Sequence, residues 1–383
     1  MELDRPIRVM QIIARMNVGG PAVLVAELMR GIDKARFEEI LITGFCAQDE
    51  ADYLDEVATD LRAMRVKGLG RSISIFSDIK SFFILLRLIR QFNPDIIHTH
   101  TAKAGVLGRV AGLIALPRAK RIHTFHGHLL HGYFGSFKTR LVVITERLLA
   151  RNTLLLVAVG NQVKEDLLEA KIGKANQYSV IFPGVRKLES LSKVNARALL
   201  GLTQGSTYLV FVGRLTQIKR PDRLIDIARY LKITHPSVEI LIAGAGEKLA
   251  DLQGVTNKEN LPIKFLGWRN DIGHILSASD ITILCSDNEG IPLTLIQASQ
   301  SGLPIISTNV GSVSDIVVDG ETGLLTETNT QSLITVLDGL LTSPVKMNQL
   351  GQAGKIRAES LFSIEGMVYA HEKLYSQAIE KMN

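Results

Sequence analysis

Runs of apolar residues that alternate with helix-like segments constrain the fold of this chain more than any other feature. The pattern fills the first half and begins again after Phe182-Pro183-Gly184. Continuous apolar strands separated by helices are typical of a parallel sheet covered on both faces. The predicted strands are Ile7–Ile13, Glu39–Thr43, Asp95–His98, Arg121–Thr124, Tyr208–Val212, Val238–Ala243, Ile263–Leu266, Ile281–Cys285 and Pro304–Ser307, and the predicted helices include Ala22–Gly31, Ile79–Phe92, Pro221–Leu231 and Ile364–Lys381.

The length of 383 residues favours two domains, since single cores seldom grow this large. We predict an α/β chain of two doubly wound Rossmann-like domains facing across a cleft. Residues 1–183 form the first and residues 184–363 the second, and residues 364–383 form a helix that packs back towards the first. Ligands of such sheets bind outside the carboxyl ends of the strands, so we expect sites at those ends.

Cysteine usage and hydropathy favour a cytoplasmic protein. Cys46 and Cys285 lie far apart in apolar stretches without a metal-type spacing, which predicts two buried, reduced thiols. The first residues lack the pattern of a signal peptide. The longest apolar runs are shorter than the 18 or so residues that a spanning helix needs.

Charge is concentrated in the first half of the chain. Residues 1–185 carry 25 Lys and Arg against 18 Asp and Glu, whereas residues 186–383 carry 19 against 20. Residues 62–151 hold 16 basic and three acidic residues, with aromatic residues interleaved at 82–90 and 132–138. This pattern favours an anionic membrane surface, a merely solvated face, or, for Phe82–Ile89, part of the core. Nucleic acid is not expected, because no RNA- or DNA-binding motif is present and the second half is not basic.

Two cations follow one predicted strand of the second half. Arg214 comes directly after Phe211-Val212-Gly213, and Lys219 precedes a helix that starts with Pro221. Two cations beside a helix N-terminus suit a diphosphate. An ordinary pair of surface cations is the alternative reading.

A polar loop carrying Glu289 follows a later strand. We expect the segment Gly290, Ile291, Pro292 and Leu293 to enter a helix, with the backbone N–H groups of Gly290, Ile291 and Leu293 near the ligand. The Glu289 carboxylate accepts hydrogen bonds only, which suits sugar hydroxyls. A carboxylate that merely caps the helix is the alternative.

Several ordered motifs resemble the family 4, or group 1, glycosyltransferases of the GT-B fold. The resemblance covers nearly the whole chain. The motifs are Met16-Asn17-Val18-Gly19-Gly20-Pro21, Pro94-Asp95-Ile96-Ile97-His98-Thr99-His100, Thr124-Phe125-His126-Gly127-His128, Val212-Gly213-Arg214-Leu215, Phe265-Leu266-Gly267-Trp268, Glu289-Gly290-Ile291-Pro292-Leu293 and Ser301–Ser312.

The resemblance implies roles for individual positions. Arg214 and Lys219 match the cations that hold the donor diphosphate and stabilise the leaving phosphate, and Glu289 matches the first Glu of E-x7-E, which contacts the transferred sugar. His126 matches a histidine near the donor sugar. The remaining implied donor-binding positions are Gly19, Gly20, Trp268, Arg269, Gly290, Ile291, Pro292, Leu293 and Gln297.

The implied activity is that of a retaining hexosyltransferase. It moves a hexosyl or N-acetylhexosaminyl unit from a nucleotide sugar, expected to be UDP-linked, to a glycan or polyprenyl-linked acceptor in cell-surface polysaccharide synthesis. No metal or cofactor is expected, because Arg214, Lys219 and a helix N-terminus supply the positive charge. The family's acceptors are often lipid-linked. We therefore expect a cytoplasmic enzyme that binds peripherally to the inner face of the plasma membrane.

One position departs from the family pattern. The second Glu of E-x7-E falls on Gln297, which can accept one hydrogen bond but carries no charge. The resemblance implies that this residue hydrogen-bonds the ribose hydroxyls of the nucleotide. We therefore expect the free energy of ribose binding to be weaker by about 1–2 kcal/mol. The departure keeps open a sugar-nucleotide binder or epimerase of the same fold that transfers nothing.

Two other readings of single motifs are weaker. The histidines His123, His126, His128 and His131 invite a metal site, but zinc sites usually add cysteine or carboxylate at set spacing. An NAD-dependent enzyme would share the α/β pattern, yet Gly19-Gly20 belongs to no GxGxxG.

Overall fold

The computed structural model describes residues 5–48, 50–72, 74–127 and 136–380, and the side chains of 136–138 are left aside. These residues form two compact units. The first contains the chain up to Gly184 and the segment from Ile364 onward, and the second runs from Val185 to Ser363. Within the described ranges, none of the helices combines the length and the apolar character needed to cross a bilayer.

The first unit contains a parallel sheet flanked by helices. Its strands run in the order β3-β2-β1-β4-β5-β6-β7. The strands are β1 (Ile7–Ile13), β2 (Phe37–Thr43), β3 (Ala63–Arg65), β4 (Ile96–His100), β5 (Lys120–Phe125), β6 (Leu155–Ala158) and β7 (Tyr178–Val180). The helices are α1 (Gly20–Gly31), α2 (Tyr53–Glu56), α3 (Ile75–Phe92), α4 (Ala102–Ala115), α5 (Ser136–Ala150), α6 (Asn161–Glu169), a 3₁₀ turn (Ala175–Gln177) and the last helix of the chain, α15 (Ile364–Glu380).

The second unit repeats this design with six parallel strands in the order β10-β9-β8-β11-β12-β13. The strands are β8 (Thr207–Val212), β9 (Val238–Ala243), β10 (Ile263–Gly267), β11 (Ile281–Leu284), β12 (Ile305–Thr308) and β13 (Leu324–Thr326). The helices are α7 (Lys193–Leu199), a 3₁₀ turn (Gln217–Lys219), α8 (Asp222–Thr234), α9 (Leu249–Glu259), α10 (Ile272–Ala278), α11 (Leu293–Gln300), α12 (Val313–Ile316), α13 (Thr330–Leu341) and α14 (Pro344–Leu361).

Both sheets have a point at which the strand order reverses. In the first unit it lies between β1 and β4, and in the second between β8 and β11. Loops that leave these two neighbours on the carboxyl side diverge to opposite faces, which opens a crevice for ligands. The prediction of an α/β chain with two doubly wound units is therefore confirmed.

The strands are mostly apolar because helices cover both faces of each sheet. In β1, Met10 and Ile12 pack with Leu85 of α3, whereas Ile13 packs on the other face with Val25 of α1. Gln11 shares the face of Ile13, since side chains alternate along a strand. A polar side chain thus stands inside a fully buried strand.

The last helix, α15, packs against the first unit. Tyr375 makes an edge contact with Phe37 of β2, with ring centroids 5.9 Å apart. The carboxylate of Glu372 accepts a hydrogen bond from the backbone N–H of Asp33 at 2.8 Å. A Cβ added to Gly31 would lie 2.5 Å from Val368 Cγ2, so the glycine permits close approach of α1 and α15.

Three sequence predictions need correction. The strand predicted at Asp95–His98 is β4 and extends to His100, so both histidines lie within the sheet. Cys46 follows β2 in a loop and is only half-buried, while Cys285 is buried as expected. Burial raises the pKa of the Cys285 thiol to about 12, so it stays protonated. The helix predicted from Ile79 begins earlier, at Ile75.

Candidate functional site

Two of the predicted donor residues of the second unit, Arg214 and Glu289, lie at its switch point. Arg214 follows β8 and Glu289 follows β11, and these two strands are hydrogen-bonded neighbours. Because both strands are parallel, their carboxyl ends meet at one edge of the sheet. Sequence-distant residues are thereby brought to the two sides of one crevice.

The loop that carries Arg214 is held by a second loop. The backbone N–H of Leu215 donates to the Ala245 carbonyl at 2.9 Å, and a Cβ on Gly244 would lie 1.9 Å from the Gly213 carbonyl oxygen. Gly244 and Gly246 have positive φ angles, which only glycine adopts without strain. The Arg214 side chain is exposed and has no hydrogen bond or ion pair within the described ranges, so it is available to an anion.

Lys219 and Glu289 form a close ion pair. The Lys219 ammonium lies 2.5 Å from Glu289 Oε1, which also accepts a hydrogen bond from Ser286 Oγ at 2.6 Å. Glu289 is 7% exposed. Both hydrogen bonds to the carboxylate go to Oε1, so Oε2 has no donor among the residues that the structure describes. The pair holds the carboxylate in one orientation and offers the second oxygen to a ligand.

This ion pair bears on the roles that the sequence predicted for Arg214 and Lys219. The sequence predicted that Arg214 and Lys219 aim together at a diphosphate. In the structure Lys219 lies before α8, as predicted, at the end of a 3₁₀ turn, and it pairs with Glu289; its contact with a diphosphate stays a prediction. Of these two cations, Arg214 is the one without a carboxylate partner in the described parts of the chain.

The loop after Glu289 leads directly into α11. Pro292 is the N-cap and Leu293 the first helical residue, as the sequence predicted for the helix entry. The carbonyl of Gly290 accepts a hydrogen bond from Ser312 N–H at 3.0 Å. Gln297 lies one turn into α11, half-buried, and its amide has no partner within the described ranges.

Trp268 and Arg269 lie further along the same edge. They follow β10, which is separated from β8 by β9. Trp268 is 53% exposed, as a residue that stacks on a ligand would be before binding. Arg269, however, is bound to the carboxylate of Asp271, with Nε to Oδ1 at 2.7 Å, so its guanidinium is already engaged.

In the first unit, Gly19 and Gly20 lie at the start of α1, just after β1. Gly19 is the N-cap, is extended, and makes no side-chain cap. A Cβ there would come no closer than 3.8 Å to the described protein atoms. The described protein atoms therefore leave room for a Cβ at Gly19, so the fold itself does not require glycine there.

His126 follows β5 and is joined to His100 of β4. The two rings are linked through His126 Nε2 and His100 Nδ1 at 3.0 Å, and His100 Nε2 contacts Gln11 Oε1 at 2.9 Å. His98, on the same face, contacts Tyr375 Oη and Thr124 Oγ1, each at 2.7 Å. The residues form a continuous hydrogen-bonded cluster.

His123 does not belong to this cluster. It lies on the other face of the sheet, where its Nδ1 contacts Thr99 Oγ1 at 2.8 Å. The buried Arg109–Glu146 ion pair, at 2.7 Å, lies on that face too. His128 and His131, the other members of the predicted histidine group, lie outside the described residues. Among those that are described, no three His, Cys, Asp or Glu side chains are grouped as metal ligands.

Burial keeps the clustered histidines neutral. It lowers the pKa of His98, His100 and His123 well below the ordinary value, and that of His371 on α15 to about 4. The pKa of His126 is lowered to about 3 for the same reason.

Sequence reasoning missed Gln11, Glu39, Tyr375 and His371. Gln11 Nε2 donates to Glu39 Oε1 and to Tyr375 Oη, both at 2.9 Å. A signal was present, because a glutamine inside an apolar strand requires a partner. The identity of that partner depends on α15, more than 350 residues later.

Comparison with known proteins places the chain in a family. Residues 18–187 match the family described as Glycosyltransferase Family 4, and residues 192–357 match Glycosyl transferases group 1. A relative from Escherichia coli, named UDP-Gal:alpha-D-GlcNAc-diphosphoundecaprenol alpha-1,3-galactosyltransferase, is 34% identical over 292 residues, which are 73% of each chain. This chain belongs to the family 4, group 1 glycosyltransferases. The prediction of a glycosyltransferase is thereby confirmed.

Further comparisons agree with that assignment and with the fold. The capsular polysaccharide biosynthesis glycosyltransferase CapM of Staphylococcus aureus is 23% identical over 323 residues, 82% of this glycosyltransferase and 84% of CapM. Sucrose-phosphate synthase from Thermosynechococcus elongatus superposes with a TM-score of 0.84 at 21% identity, over 98% and 100% of the two chains. HepE from Anabaena, in complex with UDP and glucose, superposes with a TM-score of 0.82 at 19% identity, over 97% and 100%. The GT-B fold is confirmed.

Proposed function

We propose that this glycosyltransferase moves a hexosyl or N-acetylhexosaminyl unit from a UDP-sugar to a polyprenyl-linked glycan, with retention and without a metal ion. The observation that carries the proposal is the unpartnered Arg214 beside the Lys219–Glu289 pair, among the described residues at the switch point between β8 and β11. A cation without a carboxylate partner suits a diphosphate, and a buried, oriented carboxylate suits sugar hydroxyls.

The two sides of the crevice divide the donor between them. Arg214 binds the diphosphate together with the N–H groups at the start of α11. Glu289 accepts a sugar hydroxyl through Oε2, while Lys219 and Ser286 hold Oε1. Lys219 thereby positions the carboxylate and adds positive charge near the departing phosphate. The side chains of Lys219 and Glu289 are thus held in place before the reaction. Electrostatic stabilisation of a leaving group requires groups that are positioned in advance in this way.

The bond changes balance without a cofactor. The acceptor hydroxyl oxygen attacks C1 of the sugar on the face from which the diphosphate leaves. The C1–O bond to the phosphate breaks and its electron pair stays on the phosphate oxygen, which takes the hydroxyl proton. Arg214 and Lys219 stabilise the negative charge of the departing diphosphate, as a metal ion does in other transferases.

The choice of donor and acceptor rests on relatives. The name of the Escherichia coli relative specifies a UDP-galactose donor and a diphosphoundecaprenol-linked acceptor. Anabaena HepE was solved with UDP and with UDP-glucose. Relatives from Staphylococcus aureus and Escherichia coli thus connect this family branch to polysaccharide and lipid-linked glycan synthesis.

The test is Arg214→Ala in a transfer assay with UDP- and GDP-sugars and polyprenyl diphosphate glycans. Loss of one preorganised charge at the leaving group should lower kcat about 10²-fold or more. Arg229→Ala is the matched control, since Arg229 is exposed in the same unit and paired with Glu259. Equal activity of the two variants would disprove the diphosphate site. Chelation by EDTA should leave wild-type transfer unchanged.

We further propose that the first unit binds an anionic membrane surface through α3 and α5. The outward face of α3 carries Phe76 (83% exposed), Ile79 and Phe83 (63% exposed), together with Lys80 and Arg87. Lys80 and Arg87 have no ion-pair partner within the described ranges. Apolar and basic residues on one helix face are typical of interfacial helices.

The inner face of the same helix is core, as one of the readings of Phe82–Ile89 predicted, and the membrane surface stays a proposal. Leu85, Leu86 and Ile89 are buried in the cluster beneath α3. Helix α4 packs beside α3, and α5 packs beside α4. The exposed face of α5 adds Leu141, Ile144 and Leu148.

A basic groove borders α5 and supports the same partner. It has a volume of about 1080 Å³ and lies at the amino ends of β5 and β6. Its lining contains no Asp or Glu among the described residues. The basic residues that line it are Arg118, Lys120, Arg121, Arg147, Arg151, Lys171 and Lys174. A cluster of cations attracts anionic headgroups by about 1 kcal/mol per residue near the surface.

Vesicle flotation tests the membrane proposal. The wild type should float with phosphatidylglycerol vesicles at low salt, stay behind with phosphatidylcholine, and be released by high salt. The variant Phe76→Ser, Phe83→Ser, Arg87→Glu should lose binding. The control Ile233→Ser, Lys346→Glu changes equally exposed residues of the second unit and should bind normally. If both variants floated equally well, α3 would not be the membrane-binding surface.

Gln297 favours a second candidate, an epimerase or a sugar-nucleotide binder that transfers nothing. Its amide is neutral where the family carries a carboxylate, and it has no protein partner within the described residues. Analysis of the products from a UDP-sugar decides between them. A sugar joined to the acceptor supports transfer, whereas an epimerised nucleotide sugar, or no turnover with tight binding, supports the alternative.

A further inference from the structure

A buried chain of hydrogen bonds connects His126 to a carboxylate on a distant strand of the same sheet. Glu39 of β2 contacts Gln11 of β1, Gln11 contacts His100 of β4, and His100 contacts His126 after β5, with distances of 2.9, 2.9 and 3.0 Å. Gln11 and His100 are fully buried. Each of these distances fits one hydrogen bond with one donor and one acceptor. Because a glutamine side-chain amide and a neutral imidazole each offer a donor on one side and an acceptor on the other, the direction of one hydrogen bond in the chain fixes the direction of the next.

The polarity is set at the Glu39 end. A carboxylate accepts and does not donate, so the Gln11 NH₂ group must face Glu39 and its carbonyl must face His100. Lys34 lies 3.3 Å from Glu39 Oε2 and favours the ionised carboxylate against the effect of burial. The second N–H of Gln11 is satisfied by Tyr375 Oη at 2.9 Å.

The remaining proton positions follow from neutral imidazoles, each of which carries one N–H and one bare nitrogen. His100 must donate from Nε2 to the Gln11 carbonyl, so its Nδ1 is bare and accepts. His126 must then donate from Nε2. Its Nδ1 is therefore bare, and it has no partner within the described residues.

We propose that Glu39, acting through Gln11 and His100, is a positioning residue that keeps His126 Nδ1 free to accept a hydrogen bond from a sugar hydroxyl. The inference rests on the proposed function and on the family resemblance, which implies that His126 lies near the donor sugar. A hydroxyl donor meets a ready acceptor in this tautomer. In the other tautomer Nδ1 would carry an N–H, so the hydroxyl could only accept a hydrogen bond there and could not donate one.

Glu39→Gln tests the relay without removing a heavy atom. Lys34 should keep the oxygen of the new side-chain amide on its side, which turns the new NH₂ group towards Gln11. Gln11 then flips, His100 donates from Nδ1, and His126 carries its proton on Nδ1. Long-range ¹⁵N–¹H correlation spectra of protein with ¹⁵N-labelled histidine report the tautomer directly, and His126→Asn identifies the signals of His126.

The matched control is Glu27→Gln. Glu27 is a buried carboxylate in the same unit, paired with Arg30 and outside the relay. We expect the wild type and the control to show a bare His126 Nδ1, and Glu39→Gln to show a protonated one. Transfer by Glu39→Gln should have a kcat/KM about tenfold lower or more, because an acceptor has become a donor.

The two readouts separate the relay from the proposed function. A protonated Nδ1 in the wild type, or an unchanged tautomer in Glu39→Gln, would overturn the relay, and the wild-type spectrum decides even if the variant folds poorly. A switched tautomer with unchanged kcat/KM would instead overturn the sugar contact of His126. The spectra need no substrate, so they hold even if the assigned donor is wrong.

Discussion

At the scale of single residues, the donor site depends on a close approach of two loops that has no room for a Cβ atom. Gly311 has a φ of +52°, and a Cβ at this position would lie 1.8 Å from the Glu289 carbonyl oxygen. The loop after β12 therefore presses against the residue that we assign to the sugar. The sequence motif predicted a loop here, but the contact with Glu289 depends on the pairing of β11 with β12.

Gly311→Ala should disable transfer by displacing Glu289. Gly320→Ala is the control, because Gly320 also has a positive φ, of 75°, but faces open space. Both variants should lose about 1–2 kcal/mol of stability through the left-handed backbone. Only Gly311→Ala should lower kcat/KM, by about tenfold or more, since a misplaced group costs catalysis steeply. Similar kinetics for the two variants would contradict the role of the Gly311 contact.

At the scale of elements, the sequence predicted the strands with the longer apolar runs, such as β1, β8 and β9, and it predicted the loops that carry Arg214 and Glu289. It missed β6, four residues long, and the three-residue strands β3, β7 and β13, because such short strands form only on a neighbour already in place. The sequence also did not predict which face of the sheet His98 and His100 share, because that depends on how β4 pairs with its neighbours. Polar residues at alternate positions of β4 and β5 were the available signal.

The contribution of α15 to the first unit can be measured with Tyr375→Phe. The hydroxyl joins Gln11 and His98, so its loss leaves two buried polar groups unpaired and should cost about 1–3 kcal/mol of unfolding free energy. Tyr369→Phe, on the exposed side of α15, should cost almost nothing. Equal urea midpoints for the two variants would show that the hydroxyl contributes no stability.

At the scale of the whole molecule, the first unit buries histidines that titrate freely once the chain unfolds. His98, His100, His123, His126 and His371 have lowered pKa values in the folded protein, with about 4 for His371. The unfolded chain therefore binds more protons than the folded chain below about pH 6.5. Stability is full above that pH and is lost as the pH falls.

The expected loss is about 1.4 kcal/mol per pH unit for each histidine that stays neutral in the fold. Glu39 opposes it, since burial raises its pKa and its protonation then favours the folded state. Asp52 and Asp95, whose pKa values are lowered, contribute only below about pH 4, where their unfolded forms take up protons. Between about pH 6.5 and 4.5 the histidines thus dominate the balance. Thermal unfolding at constant ionic strength should show a Tm that is level from about pH 8 to 7 and falls steeply from about 6.5 to 5. A Tm that stayed level down to about pH 5 would mean that these imidazoles accept protons within the fold.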